Sequence, residues 1–153
     1  MRVLVVTCSA SGDDARIVHR QARVLLEHGH EVVLVAEGSA RSDDASPTGL
    51  ERVVIPRARG RHRLASWRAA RAAVHRLLPG CDLMLIHDPE LVPVLLLRRP
   101  PVAVVWDVRE DYAASVTDRR WIPSPARPVM RRVVRAIHAL AARRCHLILA
   151  EDS

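Results

Sequence analysis

The sequence predicts a three-layer α/β domain built on a parallel sheet of about six strands. Three observations carry that expectation. Short apolar runs rich in Val, Leu and Ile alternate with helix-like stretches almost from the first residue. These runs are continuous, as in strands buried on both faces. At their C-terminal ends they change abruptly to small, polar or charged residues.

The elements follow in order. Arg2 to Thr7 reads as the first strand, and Cys8 to Gly12 as a loop of small residues. Asp13 or Asp14 can cap the next helix, which carries Ile17, Ala22, Val24, Leu25 and Leu26 and stops at Gly29. Glu31 to Ala36 is the second strand, 37–49 a polar loop, and Val53 to Ile55 a short third strand ended by Pro56. A basic loop, Arg57 to Arg63, leads into a helix from Leu64 to Leu78 closed by Pro79 and Gly80. Asp82 to His87 is the fourth strand. Pro89 opens a short helix, where its missing N–H costs nothing, and Pro100-Pro101 ends it. Val102 to Asp107 is the fifth strand, Val108 to Pro128 a long proline-bearing loop, Val129 to Arg144 a helix, and Cys145 to Ala150 the sixth strand. Strands joined by helices pair in parallel through right-handed crossovers. The expected order is 3-2-1-4-5-6 with helices on both faces, a Rossmann-like arrangement; a flavodoxin-like order is the alternative.

Composition narrows the class. The 153 residues suit one domain. Aromatic residues make up 3% and Phe is absent, so the core must be aliphatic. The formal charge is +7, and all 24 basic residues are Arg, with no Lys and no Asn. That pattern fits a coding bias that leaves a solvated Arg-rich surface. An anionic membrane surface or phosphorylated ligand is the second reading of the charge. Nucleic acid ranks last, and no nucleic-acid partner is expected. Cys8, Cys81 and Cys145 are odd in number and widely spaced, as free thiols in a reducing cytoplasm are. There is no signal-peptide pattern, and the longest apolar stretch, Leu91 to Leu97, contains Pro93 and is too short to span a bilayer. A cytoplasmic protein is expected.

In an open parallel sheet, ligands bind beyond the carboxyl ends of the strands where the strand order reverses. Here that crevice falls between strands one and four. The residues brought to it are Ser9, Ser11 and Gly12, then His87, Asp88 and Glu90, then Asp107, Arg109, Glu110 and Asp111, and finally Glu151 to Ser153. Neither a G-x-G-x-x-G nor a G-x-x-x-x-G-K-[ST] loop is present, and Asp13 and Asp14 repel phosphate. A neutral, hydroxyl-rich ligand suits the first loop better. Asp88, Glu90, Asp107, Glu110 and Asp111 have the oxygen chemistry of metal ligands. The dense arginines and the lack of a spaced His pair argue against a dedicated metal site. No G-x-S-x-G elbow signals a serine nucleophile.

Several segments together carry a family likeness. They are Asp14-Ala15-Arg16-Ile17, the Leu25 to Val32 stretch with its Gly29-His30-Glu31-Val32, His87-Asp88-Pro89-Glu90-Leu91, Asp107-Val108-Arg109-Glu110-Asp111-Tyr112, and Trp121-Ile122-Pro123. In this the chain resembles the N-terminal, acceptor-side domain of bacterial GT-B glycosyltransferases of family 4, group 1. The resemblance implies metal-independent transfer of a sugar from a nucleotide-sugar to a hydroxyl acceptor, which can be lipid-linked. It makes Asp107, Arg109, Glu110 and Asp111 the catalytic face. Ser9, Ser11, Gly12, His87, Asp88 and Glu90 become the substrate-binding residues.

Two departures stand out. Arg109 occupies the position where the family has His, and Arg cannot shuttle a proton near neutral pH. The sequence also ends after the sixth strand, so the family's donor-binding domain has no counterpart in it and would come from a partner chain or a longer protein. The expected function is therefore the acceptor half of a transferase, inactive alone. A non-catalytic binder of sugar, lipid head group or protein is the alternative. Arg57, Arg59, Arg61, Arg63, Arg68 and Arg71, with Arg127, Arg131, Arg132, Arg135, Arg143 and Arg144, form basic segments suited to the inner face of an anionic membrane.

Overall fold

The computed structural model describes residues 1–38, 47–57, 62–96, 100–109, 111–117 and 122–149. Strand β1 (Arg2–Ser11) lies between β2 (Glu31–Glu37) and β4 (Leu83–Ile86). β3 (Leu50–Ile55) pairs with β2, β5 (Ala103–Val108) with β4, and β6 (His146–Leu149) with β5. Every pairing is parallel, and the 6-stranded sheet has the order β3-β2-β1-β4-β5-β6. The expected order holds and the flavodoxin-like alternative falls.

Side chains along each strand alternate between two helical layers, as the pleat requires. Leu4, Val6, Val33, Val35, Met84, Ile86 and Trp106 face one cluster, completed by α2 (Arg63–Leu77), α3 (Leu91–Leu96) and α5 (Arg127–Arg144). Val3, Val5, Val32, Leu34 and Leu85 face the other, against Ile17, Val18 and Ala22 of the first helix. Helix α1 begins as a π-helical segment, Ala15–Ala22, and continues as α-helix, Arg23–Glu27. Gly29 ends it at φ 76, the left-handed conformation that glycine adopts without strain.

Several features differ from expectation. β1 runs past Thr7, because Ser11 resumes pairing with Glu37 after a break in register that begins beyond Val6. The third strand starts earlier, at Leu50. The long loop after β5 contains a short helix, α4 (Tyr112–Ser115), because the Asp111 carboxylate accepts from the N–H groups of Ala113 and Ala114. Finally β6, expected as the sixth strand, lies at the sheet edge with Leu147, Ile148 and Leu149 exposed at 39%, 47% and 67%.

The arginines of the last helix are well separated from the core. Arg131, Arg132, Arg135, Arg143 and Arg144 are exposed on α5 beside the exposed Val129 and Val133. Arg57 instead pairs with Glu37 at 3.2 Å, and Arg59 and Arg61 lie outside the described residues. No described helix is long and apolar enough to cross a membrane.

Candidate functional site

Parallel strands deliver their C-terminal ends to one edge, so the exits of β1, β4 and β5 meet there. The meeting is held together by two buried carboxylates. Asp88, just beyond β4, accepts from the Thr7 hydroxyl at 2.7 Å, from the Cys8 N–H at 2.7 Å and from the Ser9 hydroxyl. The Ser9 N–H adds a longer contact of 3.4 Å to the same group. Asp88 thus ties the β1 exit to the β4 exit across 80 residues of sequence.

Asp107, near the end of β5, is fully buried. Its two oxygens accept from Arg16 Nη2 at 2.6 Å and Nε at 3.1 Å, and from Gln21 Nε2 at 2.6 Å. The π-helical start of α1 explains how both donors reach it. Hydrogen bonding from residue i to i+5 stacks residues five apart, so Arg16 and Gln21 share one face. In a regular α-helix they would point about 140° apart. Buried His87 completes the cluster, with Nδ1 3.4 Å from Asp107 Oδ2. Neither His87 ring nitrogen has an aligned hydrogen-bond partner among the described residues. Burial alone would push the Asp107 carboxyl up. His87, Gln21 and Arg16 outweigh it and hold the group at about 2. It is therefore an anion throughout the neutral range.

Arg109, just beyond β5, reaches Asp14, the cap of α1, at 3.2 Å. Burial pushes the Asp14 carboxyl up, but the Ile17 N–H, the Arg109 charge and the Arg16 N–H hold it below the usual range. Arg109 contributes only Nη1 to that pair. Its Nε and Nη2 are buried without a hydrogen-bond partner among the described residues.

Above these ties opens a cleft of about 650 Å³. Ser9, Asp88, Glu90 and Arg109 line its polar side. Met130, Val133, Val134 and Ile137 of α5 line the facing wall, with Arg63 and Trp67 from the first turns of α2 and Tyr112 from α4. The cleft is thus polar at the strand ends and apolar toward α5.

The expected site residues therefore separate. Ser9, Asp88, Glu90 and Arg109 line the cleft. His87 and Asp107 are buried and are absent from its lining. Ser11 and Gly12 turn toward β2: the Gly12 N–H donates to Glu37 O at 3.0 Å, and the Ser11 hydroxyl donates to Asp13. Asp111 is occupied in capping α4. Glu110 and Glu151 to Ser153 lie outside the described residues. Among the described residues no group of three His, Cys, Asp or Glu side chains is arranged to hold a metal ion.

Sequence reasoning missed the α5 wall and the Arg16–Gln21 pair. The wall was legible in part, since Met130, Val133, Val134 and Ile137 recur at helical spacing. The pair was not, because only the wide turn of α1 brings residues five apart together. Cys8, beside Asp88, is no thiolate nucleophile. Burial, then the Asp88 and Glu90 charges, push its thiol far up, so it stays protonated.

No protein-family model matches the chain, and no curated protein matches it. Among solved structures it is similar to a short-chain dehydrogenase/reductase from Burkholderia vietnamiensis, with a TM-score of 0.53 and 14% identity over 97% of this chain and 83% of that one. The chain is a Rossmann-like α/β domain. The C-terminal domain of the coenzyme A biosynthesis bifunctional protein CoaBC is also similar, with a TM-score of 0.48 and 15% identity over 76% of this chain and 68% of that one. At 14% identity the likeness to the dehydrogenase/reductase speaks to fold alone. This Rossmann-like domain lacks the glycine fingerprint at the β1 exit, and Asp88 fastens that exit directly to β4.

One stability prediction follows from that fastening. Asp88→Asn replaces an acceptor-only group with an amide, which must turn an N–H₂ toward donors already facing it. The expected loss is about 1–3 kcal/mol, read as a lower urea midpoint with an unchanged slope. An unchanged midpoint would show that the tie carries no stability.

Proposed function

We propose that this domain is the acceptor-side half of a glycosyltransferase, one that moves a sugar from a nucleotide-sugar to a hydroxyl acceptor. The observation that carries the proposal is the cleft at the β1, β4 and β5 exits. There Ser9 and Glu90 offer hydroxyl-recognition chemistry, and Arg109 keeps two buried donor nitrogens without acceptors among the described residues. The resemblance of the His87 to Leu91 and Asp107 to Tyr112 segments to the GT-B enzymes of family 4 supports the same reading.

In this reading Arg109 donates to the developing negative charge of the diphosphate leaving group, with no proton transfer of its own. Asp107 is a positioning residue. Its oxygens are engaged by Arg16 and Gln21, and it stays ionised far below neutral pH, so it removes no proton from an acceptor. The donor sits on a second domain, in a longer protein or a partner chain. The acceptor's apolar portion lies along the α5 wall.

The test is transfer of radiolabelled sugar from UDP-glucose and GDP-mannose to octyl glucoside, measured with the domain alone and with a donor-binding domain added. The domain alone is expected to give no transfer above the hydrolysis blank, and the pair to give turnover. In the active pair, Arg109→Ala should lower kcat by about 10²–10³, the scale of losing one transition-state donor. Turnover by the domain alone would overturn the split reading. An Arg109→Ala pair as active as the parent would overturn the role of Arg109.

A second reading is a non-catalytic binder of a sugar, lipid head group or protein. It is favoured by the engagement of both Asp88 and Asp107 inside the protein. Saturable binding of octyl glucoside without transfer in any pairing would select it.

A further inference from the structure

We infer that a second cavity, separate from the cleft, is a binding site for an anionic amphiphile, with its chain in the cavity and its acidic head on Arg71. The inference is independent of the proposed transferase activity. Helix α2 touches both sites with different parts of its length. Its first turns carry Arg63 and Trp67 to the cleft, and its second half carries Arg71, Val74 and His75 to this cavity of about 550 Å³. The volume falls within the about 300–1,000 Å³ of ordinary small-molecule sites.

The floor and rim differ in chemistry. Val74, Leu78, Met84 and Leu95 line the cavity and are each less than a tenth exposed, so its floor is purely apolar. Met84 stands near the start of β4, so this cavity lies toward the sheet's opposite edge from the strand exits. Prolines in separate segments, Pro79, Pro93 and Pro101, also line it. Their fixed φ angles restrict the backbone that shapes the cavity in advance of binding. With no polar group in the floor, a sugar or nucleobase would lose its hydrogen bonds there, whereas an alkyl chain loses none.

Arg71 and His75 supply the rim. They are four residues apart on α2, hence on one face, and both are exposed. Arg71 makes no hydrogen bond or ion pair with any described residue. A permanent cation beside an apolar cavity selects a carboxylate or phosphate head over a cationic one. The shared ligand chemistry is one acidic group on one alkyl chain, free or part of a lipid.

The experiment uses the full chain and four probes below their micelle concentrations: dodecanoate, decanoate, dodecyl phosphate and dodecyltrimethylammonium. Calorimetry measures affinity, and methyl NMR locates binding. Dodecanoate and dodecyl phosphate are expected to bind one to one, shifting the methyls of Val74, Met84 and Leu95 but not Val116. A carboxylate preferred over the phosphate points to a free fatty acid; the reverse points to a lipid head group. Decanoate, two methylenes shorter, should bind about fifteenfold more weakly, since each buried methylene is worth about fourfold. Arg71→Glu, an exposed change with no folding role, should weaken dodecanoate at least tenfold. Leu95→Trp should fill the cavity and abolish binding. Equal affinity for the cationic probe, no saturable binding, or an Arg71→Glu variant that binds like the parent would each overturn the inference.

Discussion

Asp107→Ala is expected to cost the fold about 3–5 kcal/mol, a large part of the stability of a domain this size. The loss does not measure the worth of one ion pair. It reflects Arg16, Gln21 and His87 left around a buried void with their shared acceptor gone. A paired replacement makes the distinction. Asp107→Leu combined with Arg16→Met removes both charges at similar volume and should recover much of the loss, because the desolvation cost disappears along with the attraction. Urea unfolding of the parent, the single and the double variant reads this directly. A double variant as unstable as the single would mean that the pair is not the cause.

The same carboxylate sets an acid limit. Its folded value is about 2 against an ordinary 3.8, so the folded state binds the proton less readily than the unfolded chain. The contribution, about 2 kcal/mol, is fully present above about pH 4 and is lost as pH falls through about 2. Asp107→Asn should flatten this part of the pH–stability curve. An unflattened curve would place the acid sensitivity elsewhere.

Trp106→Ala should be about as damaging, at about 3–5 kcal/mol. Trp106 is fully buried in β5. It stacks on Tyr112 with ring centroids 6.1 Å apart and meets His138 edge-on at 5.1 Å. Its removal therefore unseats α4 and α5, both of which contribute to the cleft wall, as well as leaving a cavity. Trp106→Phe should cost far less, about 1–2 kcal/mol. The indole N–H has no acceptor among the described residues, so Phe forfeits area but no hydrogen bond. Thermal melts of the two variants would separate these losses, and near-equal melts would show that packing is not what Trp106 supplies.

The sheet was legible because each strand announces itself locally. Val3 to Val6, Leu83 to Ile86 and Val104 to Trp106 are continuous apolar runs, and the helices between them force parallel pairing. The site was legible only as a set of strand ends. His87, Asp88 and Asp107 stand where ligand-binding groups would stand, and nothing nearby in sequence reveals that Asp88 is held by Thr7 and Ser9, or Asp107 by Arg16 and Gln21. The partners lie 79 or more residues away, and a π-helical turn brings Arg16 and Gln21 together. The exposure of β6 was equally hidden, because an apolar run reads the same whether or not something covers it.

The two carboxylate ties also say when the site comes into being. Cys8 waits for Asp88, and Arg16 waits for Asp107, at sequence separations of 80 and 91 residues. Closing such long loops comes late in folding, after the entropy of joining distant segments has been overcome. During synthesis the β1 exit emerges first, yet it cannot take its final shape until β4 and then β5 have followed. A nascent chain arrested before Asp107 would already hold its first four strands and the Asp88 tie, but its cleft would lack Arg109 and the α5 wall.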